Sequence, residues 1–235
     1  MKYLNNSIPR REFLEHAAGI PLLTSLGILN FSNFTENQNI KKRIKLSEAG
    51  PMIPPVPAIL LTVNGKPGDP DEISVVWTFV VNGKPPQIGI SVHEEHVACD
   101  LIKMHGDFIL NVPTKIIVEA FDKVDMNSSK VGDKFILSGL LREKAAVVKA
   151  PAVKESPIHI ECRVFNTIDV PPVRTIFLAD VLATTVTEGT CDENGRLIVS
   201  SVDFFGMTAG SGEFYTMGEK VGHIGQSVGR KDIKY

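Results

Sequence analysis

The chain has 235 residues, 43% of them hydrophobic and 22% charged, a composition that excludes a disordered, collagenous or many-spanning membrane protein. Its 25 basic and 27 acidic residues leave a net charge of −2, so no basic field exists to hold a nucleic acid. Cys99, Cys162 and Cys191 are odd in number and form neither a Cys-x-x-Cys nor a zinc-ligand pattern, which leaves them as small apolar fillers. The aromatic set is lopsided, 12 Phe and 3 Tyr against a single Trp, Trp77.

The N-terminal segment, residues 1–29, differs from the rest. Arg10-Arg11-Glu12-Phe13-Leu14 precedes a weakly apolar run from Ala17 to Leu29 that covers about 20 Å as a helix, short of a membrane span. Paired arginines, Phe-Leu and a modest apolar run resemble a twin-arginine signal, which hands folded proteins to an export machinery. That signal implies a periplasmic or extracellular location, with membrane tethering if it stays uncleaved, and it suits a protein that takes up a cofactor before export. The alternative is an amphipathic helix packed on the body of a cytoplasmic protein. Residues 30–50 form a polar linker.

From Pro51 onward the pattern is that of a mainly β domain, residues 51–203. Aliphatic and β-branched runs predict strands over Ala58–Val63, Ile73–Val81, Gln87–Val92, Phe108–Val112, Ile158–Val164, Ile176–Val186 and Leu197–Val199. The pairs Asn64-Gly65, Asn82-Gly83 and Asn194-Gly195 predict tight hairpins, because both residues tolerate the positive φ such turns demand. Strict alternation from Ile158 to Val164 puts His159, Glu161 and Arg163 on a wet or interface face. Apolar spacing predicts one helix from Glu94 to His105, closed by Gly106, and a second from Lys115 to about Lys123, capped by Thr114. Many short strands and only two helices favour a Greek-key barrel over a doubly wound sheet. The glycine-rich residues 204–235 read as an ordered C-terminal arm.

Several motifs fail on context. Gly225-Gln226-Ser227-Val228-Gly229 has the letters of a nucleophile elbow, but no His follows it in the chain. His93-Glu94-Glu95-His96 lacks zincin spacing and reads better as an acidic helix start. His159-Ile160-Glu161 lacks the Pro-Cys-x-x-Cys partner of a deaminase. More informative are polar residues at strand ends: Ser74 to Phe79 with its hydroxyls and Trp77, then Ser91, His93 and Asn111. The loop Asn127-Ser128-Ser129-Lys130-Val131-Gly132-Asp133-Lys134-Phe135 adds hydroxyls and lysines fit to cradle a phosphate.

The succession Pro57–Val63, Ile73-Ser74-Val75-Val76-Trp77-Thr78, Pro85–Val92 and Gly106-Asp107-Phe108-Ile109-Leu110-Asn111-Val112-Pro113 resembles the flavin reductase-like family, in its flavoredoxin-like branch. The likeness runs on through Val131–Phe135 to Ile160-Glu161-Cys162. The resemblance implies a six-stranded antiparallel split β-barrel that forms a homodimer and holds FMN near the subunit interface. It places Trp77 and Thr78 at the isoalloxazine, and Ser91, His93 and Asn111 at the ribityl chain and phosphate. Ser128, Ser129, Lys130 or Lys134 would complete the anion site. Relatives carry a phosphate-binding Thr in a Thr-x-x-Asn-Ile context where this chain has Ala98-Cys99-Asp100-Leu101-Ile102, so His96 or the helix N-terminus is expected to compensate. The implied activity is hydride or electron transfer through FMN, from NAD(P)H to free flavin or another acceptor, with no catalytic acid/base pair. The alternatives are a flavin-binding electron-transfer protein that does not use NAD(P)H, and an exported barrel without flavin.

Overall fold

The computed structural model describes residues 43–209 and 211–229; the expected export segment, residues 1–29, lies outside them. The elements below belong to the unit Gly50–Tyr235. They are β1 (Val56–Pro57), β2 (Leu60–Val63), β3 (Glu72–Val75), β4 (Trp77–Gly83), β5 (Pro86–His93), α1 (Val97–His105), β6 (Asp107–Val112), α2 (Val118–Met126) and α3 (Lys134–Ser138). There follow β7 (Arg142–Glu143), β8 (Ala152–Val153), β9 (Ile158–Val170), β10 (Arg174–Val186), β11 (Phe205–Met207) and β12 (Phe214–Thr216).

The main sheet has the order β3-β2-β6-β9-β10-β5-β4, every neighbouring pair antiparallel. Its two edge strands, β3 and β4, are separated in the chain by Val76 alone, so the sheet must curl until its edges meet. The expected single strand Ile73–Val81 is thus one run bent at Val76, whose N–H donates to the Ile59 carbonyl at 3.3 Å. Counted as one bent strand, β3 and β4 make a six-stranded barrel, as expected.

Alternation along β2 serves two cores at once. Ile59, Leu61 and Val63 join Ile90, Phe108, Leu110 and Phe177 in one, which α1 seals with Ala98, Cys99, Leu101 and Ile102. Ala58 and Leu60 join Ile73, Phe121, Phe135 and Phe205 in the other, beneath α2 and α3. There Phe121, Phe205 and Phe214 meet edge to face at 5.3–5.7 Å, which seats β11 and β12 of the C-terminal arm against α2.

Local details depart from expectation. Of the three Asn-Gly pairs only Asn194-Gly195 makes the tight turn: Gly195 has φ 73°, and the Asp192 carboxylate accepts the N–H groups of Asn194 and Arg196 at 2.9 and 2.8 Å. After Asn64-Gly65 the chain wanders through 64–71 and the positive φ falls on Gly68. Asn82 and Gly83 stay in β4, and Lys84-Pro85 make the turn. Helix α1 begins at Val97 rather than Glu94, because the Glu94 N–H donates to the Val173 carbonyl (2.9 Å) instead of entering a helix; it does end at Gly106, φ 71°. The Thr114 hydroxyl caps nothing, and a 3-10 turn, Lys115–Ile117, precedes α2. Lys134 and Phe135, expected as the end of a loop, instead open a helix over Lys134–Ser138, where the Asp133 carboxylate accepts the Phe135 N–H at 2.9 Å. Leu197–Val199 is no strand: Leu197 makes one bridge to Cys191 and a 3-10 turn follows. The Gly225–Gly229 motif is likewise a 3-10 turn with glycines at positive φ on both sides.

The largest correction concerns Glu161. Arg163 is exposed and His159 half-buried, but Glu161 is 1% exposed, because the 144–151 segment folds over that face. Its carboxylate accepts the N–H groups of Ala146, Val147 and Val148 at 2.6–2.8 Å. On the same face the His159 Nε2–H donates to the Val153 carbonyl at 2.8 Å.

Candidate functional site

The bend at Val76 opens the barrel wall where β3, β4, the end of β5, the start of α1, the end of α2 and the start of α3 converge. Two clefts lie there. One, of about 220 Å³, is lined by Glu72, Ser74, His96, Ser128, Ser129 and Lys134 among others. The other, of about 300 Å³, is lined by Trp77, Ser91, His93, Arg174 and Met207 among others. Val75, His96 and Asp125 line both, so the two clefts adjoin along this wall.

The first cleft is built around a buried ion pair. Lys134 Nζ lies 3.5 Å from Glu72 Oε1, and the Ser74 hydroxyl donates to the same oxygen at 2.6 Å. Glu72 and Ser74 share one face of β3, while Lys134 is placed by the Asp133-capped start of α3. In the second cleft the Arg174 guanidinium stacks 4.0 Å above the Trp77 ring and donates to the Ser91 carbonyl at 3.2 Å. The His93 and His96 rings stack at 5.6 Å, where the spacing of an acidic helix start had been read. Burial pushes the His96 pKa below its ordinary value, and the positive charges of Lys134, His93 and Arg174 push it further. Loss of hydration raises the Asp125 carboxyl, against the pull of His96 and Lys134. Desolvation also lowers the Arg174 pKa.

Of the residues singled out in the sequence, Trp77, Ser91, His93, His96, Ser128, Ser129 and Lys134 line one cleft or the other. Three do not. Thr78 turns its hydroxyl to the Gly89 carbonyl across β4 and β5, at 3.0 Å. Asn111 is fully buried and spent on structure, donating to the Leu60 carbonyl and Thr62 Oγ1 at 3.1 Å and accepting the Val153 N–H at 2.8 Å. Lys130 is exposed and lines neither cleft. Sequence reasoning missed Glu72, Asp125 and Arg174. Arg174 had a signal, a cation directly after the Pro171-Pro172-Val173 turn at the start of a strand. Glu72 had a weaker one, its i, i+2 spacing to Ser74.

Within the clefts the Ser74 hydroxyl is hydrogen-bonded to the Glu72 carboxylate. Hydroxyls and an ammonium in one suit an oxyanion, and an aromatic face under a guanidinium in the other suits a flat or anionic group. The chain is similar to several known proteins. An uncharacterized protein of Pyrococcus abyssi is 29% identical over 129 residues, 54% of this chain and 73% of its own. The solved flavoredoxin of Methanosarcina acetivorans is 26% identical with a TM-score of 0.69, covering 80% of this chain and all of the other. The flavoredoxin of Desulfovibrio vulgaris (Miyazaki F), 24% identical, shares the fold with a TM-score of 0.71 over 77% of this chain and 97% of its own. Residues 54–200, well over half the chain, match the flavin reductase like domain, and the chain belongs to that family.

Proposed function

We propose that this protein is an FMN-dependent oxidoreductase that takes a hydride from NAD(P)H and passes electrons to free flavin or another acceptor. One observation carries the proposal: the phosphate-suited cleft at Lys134 and the aromatic cleft at Trp77 adjoin through His96. A ligand with an anionic end and a flat end spans them. The residues present fit FMN. Lys134 offers a buried ammonium, with Ser128 and Ser129 beside it. Ala98, where the family resemblance implies a phosphate-binding Thr, is buried in the barrel core and lines neither cleft, whereas Glu95, His96 and Val97 at the start of α1 line the first cleft, and of these His96 is the one that can donate to an anion.

When bound, FMN supplies the ring that accepts a hydride and releases electrons. Lys134, Ser128 and Ser129 bind its phosphate, and Trp77 and Arg174 border its ring. His96, whose pKa is lowered first by burial and then by its cationic neighbours, offers a hydrogen bond to the ligand. In this reading the chain forms a homodimer, a second copy covering exposed apolar side chains of β4 such as Val80.

The Arg10-Arg11 string favours a second reading, an exported electron-transfer flavoprotein, because nicotinamide nucleotides are scarce outside the cytoplasm. The visible spectrum of the purified protein separates the two. Flavin bands that bleach anaerobically with NADH or NADPH support the oxidoreductase. Bands that bleach only with dithionite support the carrier. A colourless protein that takes up no added FMN overturns both.

A further inference from the structure

The first cleft is lined by three carboxylates, Glu72, Glu95 and Asp125, where an anion binder would be expected to carry only positive charge, and Glu72 is the one that pairs with Lys134. Glu72 is 4% exposed and its backbone is fixed in β3 opposite Val63. At 3.5 Å the Lys134 contact is longer than a charge-assisted hydrogen bond, whereas the Ser74 hydroxyl holds the same oxygen at 2.6 Å. Glu72 is therefore anchored by Ser74 and only loosely engaged by Lys134. A buried ammonium requires a counter-ion, and without an anionic ligand Glu72 supplies it. When a phosphate approaches Lys134, that same carboxylate opposes it as a like charge across the cleft.

We propose that Glu72 is a resident counter-ion that restrains the preference of this cleft for a phosphorylated ligand over its unphosphorylated form. The proposal rests on the reading of Lys134 as the phosphate partner of FMN. Lys134 supplies the attraction, Glu72 offsets part of it, and the balance sets how strongly the site separates FMN from riboflavin. Glu72 is thus a specificity-determining residue that need not touch the flavin.

The test is a pair of dissociation constants, for FMN and for riboflavin, measured by flavin fluorescence on wild type, Glu72→Gln and Lys134→Met. Glu72→Gln keeps an acceptor for Ser74 and removes the charge, so FMN affinity rises by about tenfold while riboflavin affinity stays level. Lys134→Met erases the preference. A Glu72→Gln protein whose preference is unchanged or reduced overturns the proposal, since a residue that merely positions Lys134 would give that result. If wild type binds neither flavin, the FMN reading fails separately, and thermal unfolding with inorganic phosphate tests Glu72. Phosphate then raises the midpoint of Glu72→Gln more than that of wild type, and equal shifts overturn the proposal. Should Glu72→Gln not fold, the double variant Glu72→Gln, Lys134→Met regains the stability lost by either single change; a double variant no more stable than Lys134→Met alone overturns the pairing.

Discussion

His96 stands on the wall common to both clefts, with Lys134, His93 and Arg174 as positive neighbours and Asp125 as the negative one. Its pKa is lowered from 6.5 in the folded state, so below that value the unfolded chain takes up the proton more readily and folding stability falls with the pH. Asp125 has the opposite sign: raised above 3.8, it holds its proton in the folded state, which favours folding in a more acidic window. Thermal unfolding of the wild type between about pH 7 and about pH 5 is therefore expected to show a falling midpoint, and His96→Asn to flatten it. An unchanged slope in the variant contradicts the assignment. At this scale the cleft residues were legible where a strand ended in a hydroxyl, an imidazole or the lone Trp. They were not legible where a polar side chain near a strand end is consumed by the fold, as with Asn111 and Thr78, because sequence does not show which backbone carbonyl lies opposite.

Among the elements, β9 shows why alternation alone misplaced Glu161. Period two puts Glu161 on the face opposite Ile160 and Cys162 lies on the other side of it, but a face is wet only if nothing folds over it. The 144–151 segment does so, burying Val148 and Ala150 against Ile109 together with Ala152 of β8, and its N–H groups need an acceptor there. The Glu161 carboxylate meets three of them, adding hydrogen bonds from one side chain to the packing of the segment on the barrel. Glu161→Gln turns an NH2 donor toward backbone donors, and is expected to cost about 2 kcal/mol or more in denaturant unfolding. A loss below about 0.5 kcal/mol would mean that water replaces the carboxylate readily. The adjacent Cys162 faces the other way, into the barrel core, its thiol pushed up to about 12 by burial and then by Glu161, which accords with its role as an apolar filler. Helix α3 escaped the sequence because five residues carry no full apolar period; its signals were Asp133 and Gly139, a cap at each end.

For the whole molecule, closure follows from chain order: β3 and β4 occupy opposite edges of one sheet and are joined through Val76. The barrel class was legible in the strand count and the family likeness. The bend was not, since Ile73–Val81 reads as one unbroken apolar run. That bend is what makes the two clefts neighbours. The proposed dimer belongs to this scale too, and sedimentation should give twice the chain mass for wild type and one chain mass for Val80→Glu, which sets a charge on a strand that is 77% exposed at that residue. A wild-type monomer would remove the second copy from the account of the flavin site.

The central claim, that one ligand spans the Lys134 and Trp77 clefts, has a direct optical test because the chain holds a single tryptophan. FMN titrated into the protein while Trp77 emission is recorded should quench that emission strongly and saturably, ending at one FMN per chain. Emission that changes only in proportion to added FMN, with no saturation, would contradict it.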